Sequence, residues 1–314
     1  MLPANLPECF DKTMTSKSDT TPPVCSYEGS DYQARFWDGA NRRYEDAVES
    51  IAIDKLFNQG GHLLLELGAG AGRLTQRYPN WDRIVLLDYS RSQLLQARER
   101  LGDSDDFIYV AADIYRLPFV GGLFDGATMI RTLHHMADPH QTLQSVRRVM
   151  AEHGQFLLEF ANKRNVKSVF RWLFRRQKWN PFSPEQVEFV QLNYNFHPKT
   201  ILKTLDQTGF HNEKYLGVSF YRADWFKKHV EHDRLVRWDS QMQDFWPFKG
   251  YTPSIFTLNR AVRPSQFPAP GSFFSCPICS TALPEVKATQ ICPGCSHQWQ
   301  YDQGIYEFRI NPEK

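Results

Sequence analysis

Two groups of residues in this 314-residue chain have types and spacings that suit chemistry. The first is a glycine-rich segment after an apolar run, in which Gly68, Gly70 and Gly72 alternate with small residues. Glycines at a strand-to-helix turn let a ligand approach the backbone without a Cβ in the way. The second is a pair of CxxC motifs near the C-terminus. The first group predicts a ligand-binding turn, and the second predicts a metal site.

Carboxylates around the glycine-rich turn indicate which ligand it takes. Glu66 stands two positions before the first glycine, and the spacing is GxGxG rather than the GxGxxG of dinucleotide sites. A pyrophosphate would be repelled by that carboxylate, whereas a cationic amino-acid ligand would not. Asp88 ends the second apolar run, where it can accept both ribose hydroxyls. Asp113 ends the third and can accept from an adenine amino group, with Ile114 beside the ring.

Strand-like apolar runs alternate with helical patterns around these residues, which predicts a doubly wound α/β sheet. Strands are predicted over 62–67, 83–88, 107–111, 124–130 and 155–160, and helices over 90–101, 138–150 and 198–209. Two later strands, 215–221 and 254–261, would close the sheet as an antiparallel edge. An earlier helix contains Tyr44 and Val48, and its acids Glu45, Asp46 and Glu49 are predicted to lie on the side opposite the apolar residues.

The segments ELGAGAGRL, LLDYS, AADIYRLPF and LFDGATMIRTLHHMADP resemble the successive motifs of class I S-adenosylmethionine-dependent methyltransferases. The run from LPF to LHH is most similar to the type 11 branch, which includes the ubiquinone and menaquinone biosynthesis methyltransferases. The resemblance implies a Rossmann-like, seven-stranded sheet with S-adenosylmethionine across the carboxyl ends of its strands. The cofactor-binding residues that it implies are Glu66, Gly68, Gly70, Gly72, Asp88, Tyr89, Asp113, Ile114 and Arg131.

His134 and His135 follow the fourth predicted strand, near the expected position of a methyl acceptor. Methyl transfer from a sulfonium needs mainly alignment and desolvation, so a dedicated base is optional. Either imidazole could accept a proton from a hydroxyl or amine acceptor. The alternative is that the two histidines only shape the loop or cap the next helix.

The segment Lys163–Lys178 carries seven Lys and Arg residues and no acid. It is predicted to be one amphipathic helix, with the basic residues Lys163, Lys167, Arg171, Arg175 and Lys178 opposite the apolar residues Val166, Val169, Phe170 and Leu173. Such a helix suits a lid that touches RNA, an anionic lipid surface or an acidic substrate. The alternative is a helix packed on the fold with a solvated basic face. Nearby aromatic residues that could line an acceptor pocket, or simply pack in the core, are Trp172, Trp179, Phe182 and Phe196.

Three functions remain open at this point. The first is methyl transfer to a small-molecule or lipid-like acceptor. The second is an RNA or protein methyltransferase that docks through its basic helix and C-terminal module, and the third is a non-catalytic module that binds S-adenosylmethionine for regulation. The net charge of +2 argues against a surface built wholly for nucleic acid. The (N/D)PP(Y/F) motif and the cysteine nucleophile of two nucleic-acid methyltransferase classes are missing.

Cys276, Cys279, Cys292 and Cys295 form two CxxC pairs separated by 12 residues. Four thiolates complete a closed tetrahedron around Zn²⁺, which predicts a structural zinc ribbon rather than a redox site. The run from Cys292 to Ile305 is similar to small zinc-ribbon proteins that activate methyltransferases, except for one inserted residue in the Asp302–Ile305 segment. We therefore expect the ribbon to pack on the chain's own methyltransferase domain.

The expected organisation is a flexible tail (1–30), a methyltransferase domain (31–262), a proline-rich linker (263–271) and the ribbon module (272–314). No apolar run is long enough to span a membrane, and the N-terminus lacks the pattern of a signal peptide. A reducing cytoplasm is therefore the expected location, with Cys9 and Cys25 as incidental thiols.

Overall fold

The computed structural model describes residues 22–25, 28–29, 42–245, 248–262 and 269–310. The strands of the methyltransferase region are β1 (Gly61–Leu67), β2 (Trp81–Asp88), β3 (Phe107–Ala111), β4 (Phe124–Met129), β5 (Met150–Ala161), β6 (Val187–Val190), β7 (Asn193–Asn195), β8 (Phe210–Val218) and β9 (Ser254–Ala261). The ribbon contains β10 (Phe274–Ser275), β11 (Ala282–Leu283), β12 (Gln290–Ile291), β13 (Gln298–Asp302) and β14 (Ile305–Glu307). The helices are α1 (Arg43–Leu56), α2 (Arg91–Leu101), α3 (Pro139–Val149), α4 (Val166–Leu173), α5 (Pro198–Gln207), α6 (Asp224–His229) and α7 (His232–Met242).

The central sheet has the strand order β3-β2-β1-β4-β5-β9-β8 across the methyltransferase region. Strands β1 to β5 are parallel, whereas β9 lies antiparallel between β5 and β8. The predicted doubly wound sheet and its antiparallel edge are thus confirmed. The carboxyl ends of the parallel strands meet at one edge, which is where such sheets bind ligands.

Local sequence explains where the helices around this sheet begin. The side chain of Ser90 accepts a hydrogen bond from Gln93 N at the start of α2. Asp138 accepts from Gln141 N at the start of α3, where Pro139 takes the first helical position. Both caps satisfy backbone donors that a helix leaves unpaired at its N-terminus.

The ribbon extends the sheet rather than standing beside it. Strand β14 pairs in parallel with β3, and β13 and β12 follow, so the sheet has ten strands in the described part of the chain. The register places Ile305 beside Tyr109 and Glu307 beside Ala111. Gln303 and Gly304 both have positive φ (48° and 74°) in the turn between β13 and β14. Such a turn suits a two-residue hairpin, and the segment with the inserted residue forms it.

Aromatic side chains join the ribbon to the methyltransferase core. The ring of Phe274 stacks on that of Phe119, with centroids 5.7 Å apart, and packs against Phe308 at 4.8 Å. Main-chain bonds run from Phe308 N to Ala111 O (2.8 Å) and from Ser275 N to Pro118 O (2.9 Å). Ribbon and sheet therefore share one hydrophobic core. Residues 263–268 of the predicted linker lie outside the described residues.

Two described pieces of the N-terminal tail are tied to the fold. Cys25 is buried in the main core and is disulfide-bonded, so its interpretation as an incidental thiol is wrong. The Glu28 carboxylate accepts hydrogen bonds from the backbone N–H groups of Arg91 (2.8 Å) and Ser92 (3.0 Å), at the start of α2. Cys9 and the rest of residues 1–21 lie outside the described residues.

The predicted helix over Lys163–Lys178 is wrong in its extent and in which face is exposed. Helix α4 begins after Asn165, whose side chain accepts from Ser168 N (3.0 Å), and the chain turns away at Arg175, which has φ 55°. Lys163 is buried, and its Nζ donates to Ser183 Oγ (2.9 Å) and Glu185 O (2.6 Å). It is therefore an internal anchor rather than part of a solvated basic face.

Candidate active site

A pocket opens at the carboxyl ends of β1 and β4. It is lined by Glu66, Leu67, Gly68, Ala69, Gly70, Ala71, Arg73, Leu74, Tyr78, Gln93, Thr128, Ile130 and Arg131. Four of the nine residues predicted to bind the cofactor are therefore brought together in one cavity, namely Glu66, Gly68, Gly70 and Arg131. The other five lie along the same edge or behind it.

The glycine turn gives the pocket its bare backbone. Gly68 has φ 69°, and an added Cβ would come within 2.1 Å of Thr132 Oγ1, because the loop after β4 packs against this turn. Gly70 has φ 53°, and its Cβ would meet no atom within 4 Å. That open space is where a ligand can approach the main chain. Gly72 instead faces α2, where a Cβ would lie 3.0 Å from Leu101 Cδ1, so its role in this structure is packing.

Glu66 is a buried carboxylate held by a hydrogen bond from a neighbouring threonine. It is only 4% exposed, and Thr75 Oγ1 donates to it at 2.7 Å. Burial raises its pKa to about 7, although Thr75 and Arg73 oppose the rise. Ionising this carboxyl is therefore costly in the free protein, and a cationic ligand group would restore the charged form.

Asp88 is oriented by two main-chain donors. Gly70 N donates to its Oδ2 and Ser90 N to its Oδ1, both at 2.8 Å. Burial raises its pKa, although these hydrogen bonds oppose the rise. Tyr89 follows it, and the guanidinium of Arg309 from the ribbon donates to Tyr89 O (3.0 Å) and lies over its ring. The ribbon therefore contacts the loop that carries Asp88.

Asp113 lies at the carboxyl end of β3, outside the residues that line the pocket. Its side chain accepts from Tyr115 N (2.9 Å) and so caps a short 3₁₀ helix. Burial raises its pKa. Ile114 is buried in the main core. Both residues follow β3 next to the end of β2, where Ala112 N donates to Asp88 O (3.0 Å), and their contact with adenine stays a prediction.

Helix α1 supplies Glu49 to the interior, so the prediction that this acid lies opposite the apolar side of the helix is wrong. Glu49 is fully buried and accepts from Arg131 Nε (2.8 Å) and Arg73 Nη2 (3.2 Å). Burial alone would raise its pKa, but the two guanidinium groups outweigh burial and lower it. Glu45 is also fully buried and pairs with Lys227 Nζ (2.6 Å). These acids lie inside because cations distant in sequence face them, and helical periodicity contains no sign of those partners.

Arg73 and Arg131 thus form one charged cluster beside the glycine turn. Arg131 has φ 54°, and its backbone N donates to Glu159 (2.9 Å), which fixes the strained residue at the end of β4. Arg73 also pairs with Asp46. Arg73 was not predicted to line the pocket. Its position directly after the last glycine of the motif was the signal that could have identified it as a pocket residue.

His134 and His135 form a short 3₁₀ helix after β4, with ring centroids 4.0 Å apart. His135 Nδ1 lies 3.1 Å from Leu192 O. Because a carbonyl only accepts, Nδ1 carries the proton and Nε2 keeps its lone pair. Burial lowers the pKa of His135 to about 4, and burial together with His135 and Arg131 lowers that of His134 well below 6.5. Both rings are neutral at physiological pH.

Residues 163–197, here named the lid segment, cover this histidine loop. The segment leaves the sheet at the end of β5 and returns there, where Phe196 N donates to Ala161 O (2.9 Å). Gln186 Nε2 donates to Ala137 O (2.8 Å) in the loop after β4. Phe196 packs in the main core, whereas Trp172 and Phe182 pack edge to face at the surface, 5.8 Å apart.

The four ribbon cysteines form one cluster. Their Sγ atoms all lie within 4.8 Å of one another, with Cys276 to Cys295 at 3.7 Å and Cys279 to Cys292 at 3.4 Å. Sulfurs about 2.3 Å from a central zinc in a tetrahedron lie about 3.8 Å apart, so this donor set fits the ion. His297 is not in the cluster, and its ring packs on Trp299 at 4.2 Å.

Comparisons with known proteins agree with this geometry. The family model described as "Methyltransferase domain" matches residues 65–158. The ubiquinone/menaquinone biosynthesis C-methyltransferase UbiE of Pseudomonas savastanoi is 33% identical over 182 residues, which cover 52% of this chain and 71% of that protein. UbiE of Saccharophagus degradans is 27% identical over 174 residues, covering 50% and 70%.

A solved structure has a similar fold. It is the complex of the Haloferax volcanii Trm112 methyltransferase activator with a methyltransferase, matched with a TM-score of 0.51 and 18% identity, covering 74% of this chain and 98% of that one. At this identity the likeness concerns the fold alone. In the ranges that the structure describes, no helix has the length and apolar character of a bilayer-crossing segment.

The strand order, the glycine turn and the carboxylates at the strand ends define a class I methyltransferase fold. The 33% identity to UbiE, over 71% of that protein's length, shows to which family the chain belongs. The chain belongs to the S-adenosylmethionine-dependent methyltransferases, and S-adenosylmethionine is its methyl donor.

Proposed function

We propose that this methyltransferase acts on a small, lipid-like acceptor that enters beneath the lid segment. The observation that carries the proposal is the apolar character of the lid segment above the histidine loop. Its Phe170, Trp172 and Phe182 are all exposed. Large apolar side chains gain little from water and are suited to an apolar partner. The names of the UbiE relatives, which act in quinone biosynthesis, agree with an acceptor of this class.

For the cofactor we propose roles that follow from the position of each residue along the edge of the sheet. Glu66 would accept from the methionine ammonium, and Gly68 and Gly70 would let that portion lie against the backbone. Asp88 would accept both ribose hydroxyls, with Tyr89 beside it. Asp113 and Ile114 would take the adenine. Arg131 and Arg73 would face the methionine carboxylate, which suits their bidentate geometry.

Catalysis would then depend mainly on alignment and on the exclusion of water. S-adenosylmethionine supplies an electrophilic methyl group, and the lid segment would hold the acceptor in line with it. His134 and His135 are neutral, so either could accept a proton. The proton on Nδ1 leaves Nε2 as the basic nitrogen of His135, whereas its low pKa makes His135 a weak base. We keep the two histidines as candidate bases.

The zinc ribbon is proposed to have a structural role. A closed set of four thiolates has no open coordination position for a substrate. Zn²⁺ would hold the two CxxC turns together and so fix the strands that continue the sheet from β3. Through Arg309, the same module would steady the loop that carries Asp88.

Radiolabel transfer tests the acceptor class. The purified chain is incubated with methyl-labelled S-adenosylmethionine and cell extract, and the products are separated into lipid, RNA and protein pools. We expect label in the lipid pool. Label confined to RNA or protein would overturn the proposed acceptor, and the absence of label in every pool would favour a regulatory module without turnover.

Calorimetry on Asp88→Asn tests the cofactor site. Loss of a charged acceptor for two hydroxyls should weaken S-adenosylmethionine binding roughly 10- to 100-fold. Asp106→Asn is the matched control, because Asp106 is an exposed aspartate at the opposite end of the neighbouring strand. Equal affinity of Asp88→Asn and the control would exclude the ribose role.

A further inference from the structure

Helix α4 has its polar and apolar faces reversed relative to an ordinary surface helix. Its single buried residue is Ser168. Val166, Phe170 and Leu173 recur at positions i, i+4 and i+7 on the opposite side, where Phe170 is 54% and Leu173 63% exposed. A surface helix normally turns such a row toward the core. An apolar row that points outward is typical of a surface that another phase or partner covers.

Neighbouring aromatic residues enlarge this apolar surface. Phe174 continues the row by one turn and stacks on Phe170, with centroids 6.2 Å apart and planes 10° apart. Further exposed aromatic residues of the lid segment are Trp172, which packs on Phe182, and Phe189 in strand β6. Tryptophan and phenylalanine are favoured at the boundary between lipid headgroups and acyl chains.

Cations border the apolar row. Lys167 and Arg171 follow Val166 and Phe170 by one position each, so they form a parallel row on the helix. Arg175, Arg176 and Lys178 lie exposed just past its end. Within the described residues, no ion pair engages any of these five cations, and no acid occurs between 163 and 178. By contrast, Lys163 and Arg164 are anchored to the protein body.

We propose that the exposed face of α4 and its flanking cations dock on the surface of an anionic phospholipid membrane. The apolar row would enter the headgroup–acyl boundary, and the cations would lie at the level of the phosphates. RNA fits less well, because phosphate binding places cations at the centre of the contact, and here aliphatic and phenyl groups hold the centre. Docking would bring the lid segment, and the histidine loop that it covers, close to the lipid phase.

Membrane docking rests on the proposed function, because it would place the enzyme where a lipid-like acceptor is found. Binding to vesicles can nevertheless be measured without any methyl transfer. The zinc-loaded full chain is floated with vesicles of pure phosphatidylcholine and with equimolar phosphatidylcholine and phosphatidylglycerol. We expect flotation with the anionic vesicles alone. Phe170→Ser combined with Leu173→Ser should weaken binding at least about tenfold. Lys167→Gln combined with Arg175→Gln should weaken it roughly 30-fold at low salt and reduce its salt dependence, since three of the five cations remain.

Ile291→Gln is the matched control, because Ile291 is 69% exposed on the ribbon, away from α4. It should float like the unchanged chain. The proposal is overturned if the unchanged chain does not float, if the Phe170/Leu173 variant floats as well as the control, or if single-stranded RNA is bound in place of vesicles. Calorimetry with S-adenosylmethionine on the same preparations separates the two proposals, since the α4 variants should keep full cofactor affinity and correct folding.

Discussion

Glu66→Gln should stabilise the free protein and weaken its cofactor binding at the same time. Glu66 is buried, and its pKa rises from the ordinary 4.5 to about 7. Each pH unit corresponds to about 1.4 kcal/mol, so ionised Glu66 lowers the free energy of unfolding by about 3 kcal/mol. Glutamine has no charge to desolvate, and its amide oxygen can still accept from Thr75 Oγ1.

The pH dependence fixes the sign of this effect. The folded protein holds the Glu66 proton more tightly than the unfolded chain, so the stability that this proton supplies is complete below pH 4.5. That stability is lost as the pH rises, and the loss is complete once the pH exceeds about 7. The variant should therefore exceed the unchanged chain by about 3 kcal/mol near pH 8 and by only about 1 kcal/mol near pH 5.

Urea unfolding of the cofactor-free protein at both pH values measures this difference, and Glu99→Gln on the exposed side of α2 is the matched control. In calorimetry, Glu66→Gln should lose about 10- to 100-fold in S-adenosylmethionine affinity near pH 8. The unchanged chain should lose about tenfold for each pH unit below 7. A variant that is no more stable than the control near pH 8, with unaltered cofactor affinity, would refute the reasoning.

Four further outcomes are expected. Glu49→Gln leaves Arg73 and Arg131 without their shared carboxylate and should lower the free energy of unfolding by about 3–5 kcal/mol in urea. Arg309→Met removes the hydrogen bond to the cofactor loop and should weaken S-adenosylmethionine binding roughly tenfold in calorimetry. Replacing both His134 and His135 by Gln should lower kcat more than about tenfold if either is the base, and kcat in the unchanged chain should stay flat down to about pH 5, since both pKa values are depressed. Removal of Zn²⁺ by a strong chelator should lower both the melting temperature and cofactor affinity, with about one zinc ion released per chain.

Each of these outcomes has a contrary result. Glu49→Gln with unchanged stability would mean that the two guanidinium groups find other partners. Arg234→Met is the control for Arg309, since Arg234 is exposed and pairs with nearby Glu231 at the surface. Unchanged turnover in the double histidine variant would exclude a histidine base. A chelated protein with full stability and affinity would contradict a structural role for the metal.

Local sequence patterns were sufficient to predict much of the sheet. The strand 107–111 has the predicted bounds, and the helices predicted from 90 and from 138 begin directly after Ser90 and Asp138. Glu66 and the first two motif glycines reach one pocket because the motif itself forms the turn. Such features depend on neighbours within a few residues, which the sequence displays directly.

Features that depend on distant partners could not be predicted in the same way. Glu49 has the pattern of a solvated helix face, and only the fold brings Arg131 and Arg73 to it. The three-residue sequence of β14 (305–307) contains no pattern that predicts its pairing with β3. Helix α4 was misjudged because amphipathicity specifies two faces but not which one meets the protein.

The hairpin of β13 and β14 covers the outer edge of β3. An exposed strand edge presents unpaired N–H and C=O groups, to which any extended segment of another molecule can add. Here the covering strands are supplied by the same polypeptide, so dilution cannot remove them and a competing chain meets an edge already occupied. Each cofactor loop therefore has its own ribbon at any expression level. A separate ribbon subunit would instead have to be produced in the same amount as the methyltransferase.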